Sequence, residues 1–363
     1  MNELIELKKT LKDLTSICAP SGYEEPVIKY IVDRVKNLGV KPEVDPLGNV
    51  IIRLGNPDGK PKVMIIAHMD EVGLVIRKIS KEGYLMVEKV GGIPEIVLSG
   101  CNLVIISNEG KMIEGVVGTK SHHVTPVSER YNVIPIDKVY IDMGFSSYKE
   151  VLSAGIDIGN ILVYSRRFFE NGPIVFAPAV DNRAGCLILL KLIELLKNKK
   201  FNPEVFFVAT VQEEFNLRGV LPAARRTNPD FAIAIDCVIA SDTPDLDKTD
   251  ISLGKGPAVS AYSFHGRGTL GGVIPNPKLR KIIEEYAIKA GINIQKNVLY
   301  GGLTDASFLQ LEGNGIPSIE LGFPARYTHT PLECCNMLDI LKLIQLLEGF
   351  ILDLPNKVDL SRY

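Results

Sequence analysis

Four short apolar runs constrain this chain more than any other feature. They read KVMIIAH at 62–68, VFFVATV at 205–211, FAIAID at 231–236 and PSIELG at 317–322. An apolar run without polar alternation is the mark of a strand buried on both faces. Helical patterns separate the runs, at 182–197 and 277–290, and a last apolar helix is expected at 337–352. Doubly buried strands alternating with helices argue for an α/β fold, with a mostly parallel central sheet flanked by helices.

The N-terminal segment spaces Leu4, Leu7, Leu11 and Leu14 as one face of a helix that ends at Pro20. Ser21-Gly22-Tyr23-Glu24 then has capping-box spacing and introduces a second helix to about Leu38, and 49–54 reads as a strand. From Gly73 to Val163 the texture changes to short alternating segments (74–79, 84–90, 103–106, 112–117) separated by Gly, Pro, Asn and Ser. This is the pattern of a compact β-rich domain inserted into the α/β domain. The expected division is therefore 1–72 and 164–363 for the α/β domain and 73–163 for the insert.

A chain of 363 residues is long enough for a large core, and a net charge of −2 without a basic stripe argues against nucleic acid or an anionic membrane as partner. No apolar window is long enough for a membrane span, and charges interrupt the N-terminal helix too often for a signal peptide. The six cysteines (Cys18, Cys101, Cys186, Cys237, Cys334, Cys335) form no CxxC pair. They read as free, mostly buried thiols, the adjacent pair included, which fits a reducing cytoplasm.

The chemistry gathers where the strands end. His68 and Asp70 follow the first run, and Glu213 and Glu214 follow the second. Asp236 closes the third, His329 sits in the loop after the fourth, and Asp181 opens a helix. In open parallel sheets sites form outside the carboxyl ends of the strands, so all these segments point to one edge. Two adjacent glutamates are usually a solvated pair, an aspartate at a helix start is usually a cap, and a loop histidine usually lies on the surface. Here, however, two of only five histidines and the neighbouring acids all terminate apolar strands. Unpaired charge buried there would cost several kcal/mol. A pair of divalent ions about 3.5–4 Å apart requires such a set: a bridging carboxylate with further N and O ligands. Imidazole and carboxylate without thiolate suit zinc, cobalt or manganese. Such ions polarise a carbonyl and acidify a water whose proton a nearby carboxylate accepts. Asp70, two residues after His68, is placed to take the second N–H of the imidazole. Glu213 and Glu214 point in different directions on an extended chain, so one can bind metal while the other faces the water.

The motifs AHMDEVG, AVDNRAG, VQEEFNLRG, IDMG and RYTHTP resemble those of the tetrahedral (TET) metalloaminopeptidases. That family includes glutamyl aminopeptidases and proteins labelled endoglucanase or cellulase M. The resemblance covers nearly the whole chain. It implies that His68 and Glu214 hold one metal, Asp236 and His329 the other, and that Asp181 bridges them. It further implies that Glu213 is the general base, that Asp70 orients His68, and that a PDZ-like insert makes dimer contacts in a hollow dodecamer. Two segments depart from the family pattern. The family's Gly-Gly-Thr-Asp-Ala stretch is here Gly301-Gly302-Leu303-Thr304-Asp305-Ala306, and the segment 265–276 is longer than usual. Both bear on side-chain preference.

The expected function is removal of N-terminal residues from peptides. A deacylase or carboxypeptidase on the same metal scaffold stays open, because the machinery for amide hydrolysis is shared. A glycan-active or purely binding protein fits less well, since glycoside hydrolysis needs two free carboxylates and no metal pair. Arg183, Arg218 and Arg326 are the arginines near the ligands in sequence, too scattered to anchor an α-carboxylate. Gly266-x-Gly268-x-x-Gly271 matches a dinucleotide fingerprint but opens no helix, and is expected to be a plain Gly-rich loop. His122, His123 and His265 have no adjacent ligand partner and are read as surface positions or as supports just behind the ligands, with an approach of His123 to a site across a dimer as the lesser alternative.

Overall fold

The computed structural model describes residues 2–246, 248–266 and 270–363. The chain opens with helices α1 (Asn2–Thr15) and α2 (Glu25–Asn37) and strands β1 (Pro42–Val44), β2 (Val50–Gly55) and β3 (Lys62–His68). Six strands follow: β4 (Gly73–Ile79), β5 (Leu85–Val90), β6 (Asn102–Ile106), β7 (Met112–Val117), β8 (Tyr140–Asp142) and β9 (Ile161–Tyr164), with the short helix α3 (Tyr148–Ser153) before the last. Next come β10 (Phe169–Asn171), β11 (Ile174–Ala177), α4 (Val180–Leu196), β12 (Glu204–Thr210), α5 (Val220–Thr227) and β13 (Phe231–Ile239). The last part holds β14 (Ala258–Phe264), β15 (Gly272–Val273), α6 (Pro277–Lys289), β16 (Gln295–Tyr300), α7 (Ala306–Leu309), β17 (Ser318–Arg326), β18 (Glu333–Asn336) and α8 (Met337–Asp353).

The four apolar runs become β12, β3, β13 and β17, adjacent and parallel at the centre of the sheet. Their odd and even residues enter two different cores, as a doubly covered strand must. Ile65, Phe207, Ile233 and Ile319 pack with α1, α4 and α8, while Met64, Val208 and Ala232 pack with α5 and α7. Outward from this centre the sheet differs from expectation. β2 joins β12 antiparallel, and β17, β18, β11 and β10 follow one another antiparallel. The sheet is therefore mixed rather than mostly parallel, because antiparallel partners, which need no helical crossover, join it on both flanks.

The segment between β3 and β10 closes on itself as a six-stranded barrel, in the order β4–β5–β8–β7–β6–β9, with its own core. Two local expectations need correction. α1 stops at Thr15, five residues short of Pro20. Ser21 does not cap α2, which starts at Glu25 without a side-chain cap; the Ser21 hydroxyl donates to Asp70 Oδ2 at 2.6 Å instead.

A buried ion-pair network ties α1, β3 and α4 together behind the site. Arg183 on α4 is fully buried and donates to the carbonyls of Leu14, Ile17 and Ala19 and to Glu71. Arg166 holds both Glu71 oxygens at 2.7 Å. Removing one partner of such a pair typically costs about 3–5 kcal/mol, so these arginines belong to the scaffold. None of the described helices is long and apolar enough to cross a membrane.

Candidate metal centre

The register of the parallel strands levels the acidic and imidazole side chains at one edge. Thr210 pairs with His68 and Ala234 with Ile66, so Asp236, two residues further on, arrives level with His68. Asp181 comes from the other side. It sits at the start of α4 with non-helical backbone (φ −75°, ψ 105°), so it turns out of the helix rather than capping it. Asn182 holds this bend by donating to Ile235 O at 2.8 Å and accepting from Gly185 N. Gly185 has to be glycine, because a Cβ there would lie 2.2 Å from the Asn182 amide oxygen.

The seven residues singled out from sequence all meet in this place. His68 Nε2 lies 3.2 Å from Asp181 Oδ1 and 3.9 Å from both Glu213 Oε2 and Asp236 Oδ1. His329 Nε2 lies 3.1 Å from Glu214 Oε1 and 3.6 Å from Asp181 Oδ2. Asp181 thus presents one oxygen to each imidazole. Three sets of donor atoms lie within 4.8 Å of one another: His68–Asp181–Glu214, His68–Glu213–Asp236 and Asp181–Asp236–Cys237. Among the described residues no Lys or Arg is ion-paired to any of these carboxylates. Four buried acids with only two imidazoles facing them are a donor set suited to divalent cations.

The electrostatics agree. Burial pushes Glu213 and Asp236 well above the usual carboxylate range, with repulsion from Glu214 and Asp181 respectively adding to it. Asp181 goes the other way: burial would raise it, but the imidazoles of His329 and His68 beside it outweigh burial and hold it below. Burial would lower His329, yet Glu214 and Asp181 push it up to about 12. The imidazoles serve here as the counter-charge, a task that divalent cations perform better.

The supporting side chains were only partly visible in sequence. His68 Nδ1 lies 3.3 Å from Asp70 O and 3.5 Å from Asp70 Oδ1, so backbone and side chain of Asp70 both steady the ring. The same carboxylate accepts the backbone N–H groups of Glu213 and Glu214 at 3.1 Å, tying the β3 and β12 ends together. Glu333, which sequence reasoning missed, accepts the N–H of Asp181 at 2.8 Å and that of His329 at 2.7 Å. Its signal was a lone acid four residues beyond the histidine, legible only once both ends are seen together. Cys237 was also missed; its thiol donates to Asp181 Oδ2 at 3.0 Å.

The barrel segment supports His329 without contributing to the donor sets. Gly92 O accepts from His329 Nδ1 at 3.1 Å, leaving Nε2 to face the carboxylates, and the Tyr164 hydroxyl donates to His329 O. Gly92 tolerates no side chain, since a Cβ would stand 2.9 Å from Nδ1. His329 itself has φ 63°, a left-handed backbone that these contacts and Glu333 hold in place.

A cavity of about 670 Å³ opens beside the centre, lined by His68, Asp181, Glu213, Glu214, Asp236 and His329 and by parts of both departing segments. His265 and Gly301–Gly302–Leu303–Thr304 are among those parts. Gly268, the middle glycine of the dinucleotide-like motif, lies outside the described residues, and Gly272–Val273 after it pair with β14. None of the three arginines near the ligands lines the cavity: Arg183 is in the buried network, Arg326 pairs with Asp242, and Arg218 lies over Phe215. His122 and His123 are exposed on the barrel segment.

Comparison with known proteins gives one consistent answer. Residues 48–346 match the model of the M42 glutamyl aminopeptidase family. The glutamyl aminopeptidase of Lactococcus lactis is 32% identical over 354 residues, 96% of this chain and 97% of that protein. Among solved structures, the aminopeptidase APDkam598 from Desulfurococcus kamchatkensis superposes with a TM-score of 0.90 at 36% identity, covering 97% of this chain and 96% of that one. The TET1 peptidase of Pyrococcus horikoshii, described as assembling into a tetrahedron or a large octahedral shell, gives 0.86 at 32% identity over 96% of this chain and 100% of its own.

Proposed function

The chain belongs to the M42 glutamyl aminopeptidase family, and from that premise we propose that it removes residues from the amino end of short peptides with a pair of divalent ions and Glu213 as general base. It is a hydrolase of the aminopeptidase type. The proposed ligands are His68, Asp181, Glu214, Asp236 and His329. His68, Asp181 and Glu214 bring donor atoms within 4.8 Å of one another, in keeping with the division the resemblance implies, but the shortest contacts favour another. His68 and Asp236 approach each other at 3.9 Å and Glu214 and His329 at 3.1 Å, with one Asp181 oxygen toward each pair. Zinc or cobalt suits these donors best, with manganese as a further choice. Ions bound there would polarise the scissile carbonyl and acidify water near neutral pH.

The protein's own groups do the rest. Glu213, buried next to His68 and without a Lys or Arg partner among the described residues, accepts a proton and returns it to the leaving amine. Asp70 holds the His68 ring in place, and Glu333 holds the backbone at Asp181 and His329.

One observation carries the choice of peptide end: among the described residues lining the cavity there is no Lys or Arg. A substrate's α-carboxylate would need such a partner, ideally a bidentate guanidinium. A free α-amine finds the carboxylates of Glu213, Glu214 and Asp236 waiting. The test offers one pentapeptide in free, N-acetylated and C-amidated forms. Acetylation is expected to block cleavage and amidation to be tolerated, with residues released in order from the N-terminus. The reverse pattern would move the assignment to a carboxypeptidase, and internal cleavage of all three would reject exopeptidase action.

We place the protein in the cytosol, in keeping with its six free cysteines, and read the barrel segment as an association surface. Ile96, Val124, Val127 and Tyr131, each more than 70% exposed, lie on that segment and offer apolar side chains to a neighbouring chain. As in the dodecamer solved for a relative, the native mass is expected to correspond to twelve chains of 39.9 kDa. An enzyme that is fully active as a monomer in native mass spectrometry would defeat this.

A further inference from the structure

The cavity beside the metal centre runs on into a polar recess formed by Ser260, Ser263, Asn297, Thr304 and Glu320. Glu320 lies on β17 two residues before Gly322, which pairs with Asp236 on β13. Side chains alternate along a strand, so Glu320 faces the same side of the sheet as Asp236, with Cα atoms roughly 8 Å apart from the strand rise and spacing. Gly322, between them, carries no side chain to close the path.

Glu320 is 4% exposed, and it accepts the Thr304 hydroxyl at 2.6 Å and the Ser263 hydroxyl at 3.0 Å, both on Oε1. Ser260 and Ser263 both turn inward although they stand three positions apart, because β14 is irregular between Ser260 and Tyr262. Asn297 on β16, opposite Ser260, is 2% exposed and its amide oxygen has no hydrogen-bond partner. A buried acceptor left unpaired is costly, and such a group calls for an explanation. Burial holds the Glu320 carboxyl above its usual range in spite of the hydroxyls around it. The recess thus holds a carboxylate and a spare amide oxygen, both acceptors, behind apolar walls supplied by Leu299 and Leu303. A ligand group that fits has an apolar stem and a head that only donates.

We propose that Glu320 and Asn297 receive the side chain of the substrate's first residue and select a basic one, lysine or arginine. The inference rests on the aminopeptidase reading and deepens it. Ammonium and guanidinium heads are donor-only and cationic, and their stems match the apolar walls. A glutamate side chain would bring a second carboxylate against Glu320 with no Lys or Arg among the described lining residues to receive it. On this reading the glutamyl preference in the family's name does not extend to this chain.

The test measures kcat/KM on aminoacyl amides bearing Lys, Arg, norleucine, Leu or Glu, using the metal-loaded oligomer. Norleucine keeps the stem of lysine and lacks its charge, so the wild type alone isolates the contribution of the head group. Lys is expected to exceed norleucine by roughly 10–100-fold, the worth of a buried hydrogen bond to a charged group, with Glu the poorest substrate. In Glu320→Gln the Lys-to-norleucine ratio is expected to fall to within a few-fold of one, with circular dichroism and native mass confirming an intact fold. Lys no better than norleucine, or Glu preferred, would overturn the inference and leave the aminopeptidase reading standing. An unchanged ratio in Glu320→Gln would overturn it as well. If none of the five amides is cleaved, the aminopeptidase reading falls and this inference falls with it.

Discussion

Replacing Glu213 with glutamine is expected to lower kcat/KM by about 10²–10⁴-fold while metal content stays at its wild-type value. Glutamine keeps the shape and the buried volume, and the backbone N–H of residue 213 still donates to Asp70 Oδ1, so the fold has no reason to change. What disappears is the capacity to accept a proton beside the cavity. Activity and elemental analysis on the same preparation separate the outcomes. Near-wild-type turnover would remove Glu213 from the reaction. Loss of metal together with activity would make it a ligand, which its position within 4.8 Å of His68 and Asp236 donor atoms allows geometrically.

Asp181→Asn is expected to behave differently, losing bound metal and roughly 10³-fold or more of its activity, because a Lewis acid supplies several kcal/mol of transition-state stabilisation. Asp181 is the one carboxylate with an oxygen toward each imidazole, 3.2 Å from His68 Nε2 and 3.6 Å from His329 Nε2. An amide offers one oxygen and no charge, so it cannot serve both sides of a divalent pair. His329→Ala should fall between the two variants, because half-buried His329 stands at the rim while Asp181 stands between the imidazoles. Full metal content in Asp181→Asn, read by elemental analysis after dialysis, would remove Asp181 from the bridging position. Recovery of activity on raising free metal would point to weakened affinity alone.

Much of this site could be read from the chain because strand ends advertise it. An acid or imidazole directly after a doubly buried apolar run has few places to go, and His68, Glu213, Glu214 and Asp236 obey that rule. Asp181 and His329 needed the company of the others, since an acid at a helix start and a histidine in a loop usually have blander lives. The roles of Glu333, Cys237 and Ser21 at the site were hidden for a different reason. Each residue has a partner more than 45 residues away (Asp181 for the first two, Asp70 for the third), and although Glu333 also accepts the N–H of His329 four residues before it, neighbouring sequence carries no trace of the distant pairing.

The capping-box misreading of Ser21 has the same origin. The local pattern fits a helix start, but a buried carboxylate at Asp70 offers the hydroxyl a stronger partner than an exposed backbone N–H would. The expectation of a mostly parallel sheet failed at its flanks. Periodicity tells whether a strand is covered on both faces, not which way its neighbour runs.

The sequence by itself determined the central strands, the edge at which chemistry collects and the donor types found there. These depend on local composition and on the cost of burying charge, and both are written residue by residue. Tertiary structure alone decided which imidazole faces which carboxylate, that Gly92 and Tyr164 of the barrel steady His329, and that Glu320 and Asn297 meet in one recess. Those are distances between segments remote in sequence, set by register, a β-bulge and the closure of the barrel, and they exist only once the chain has folded.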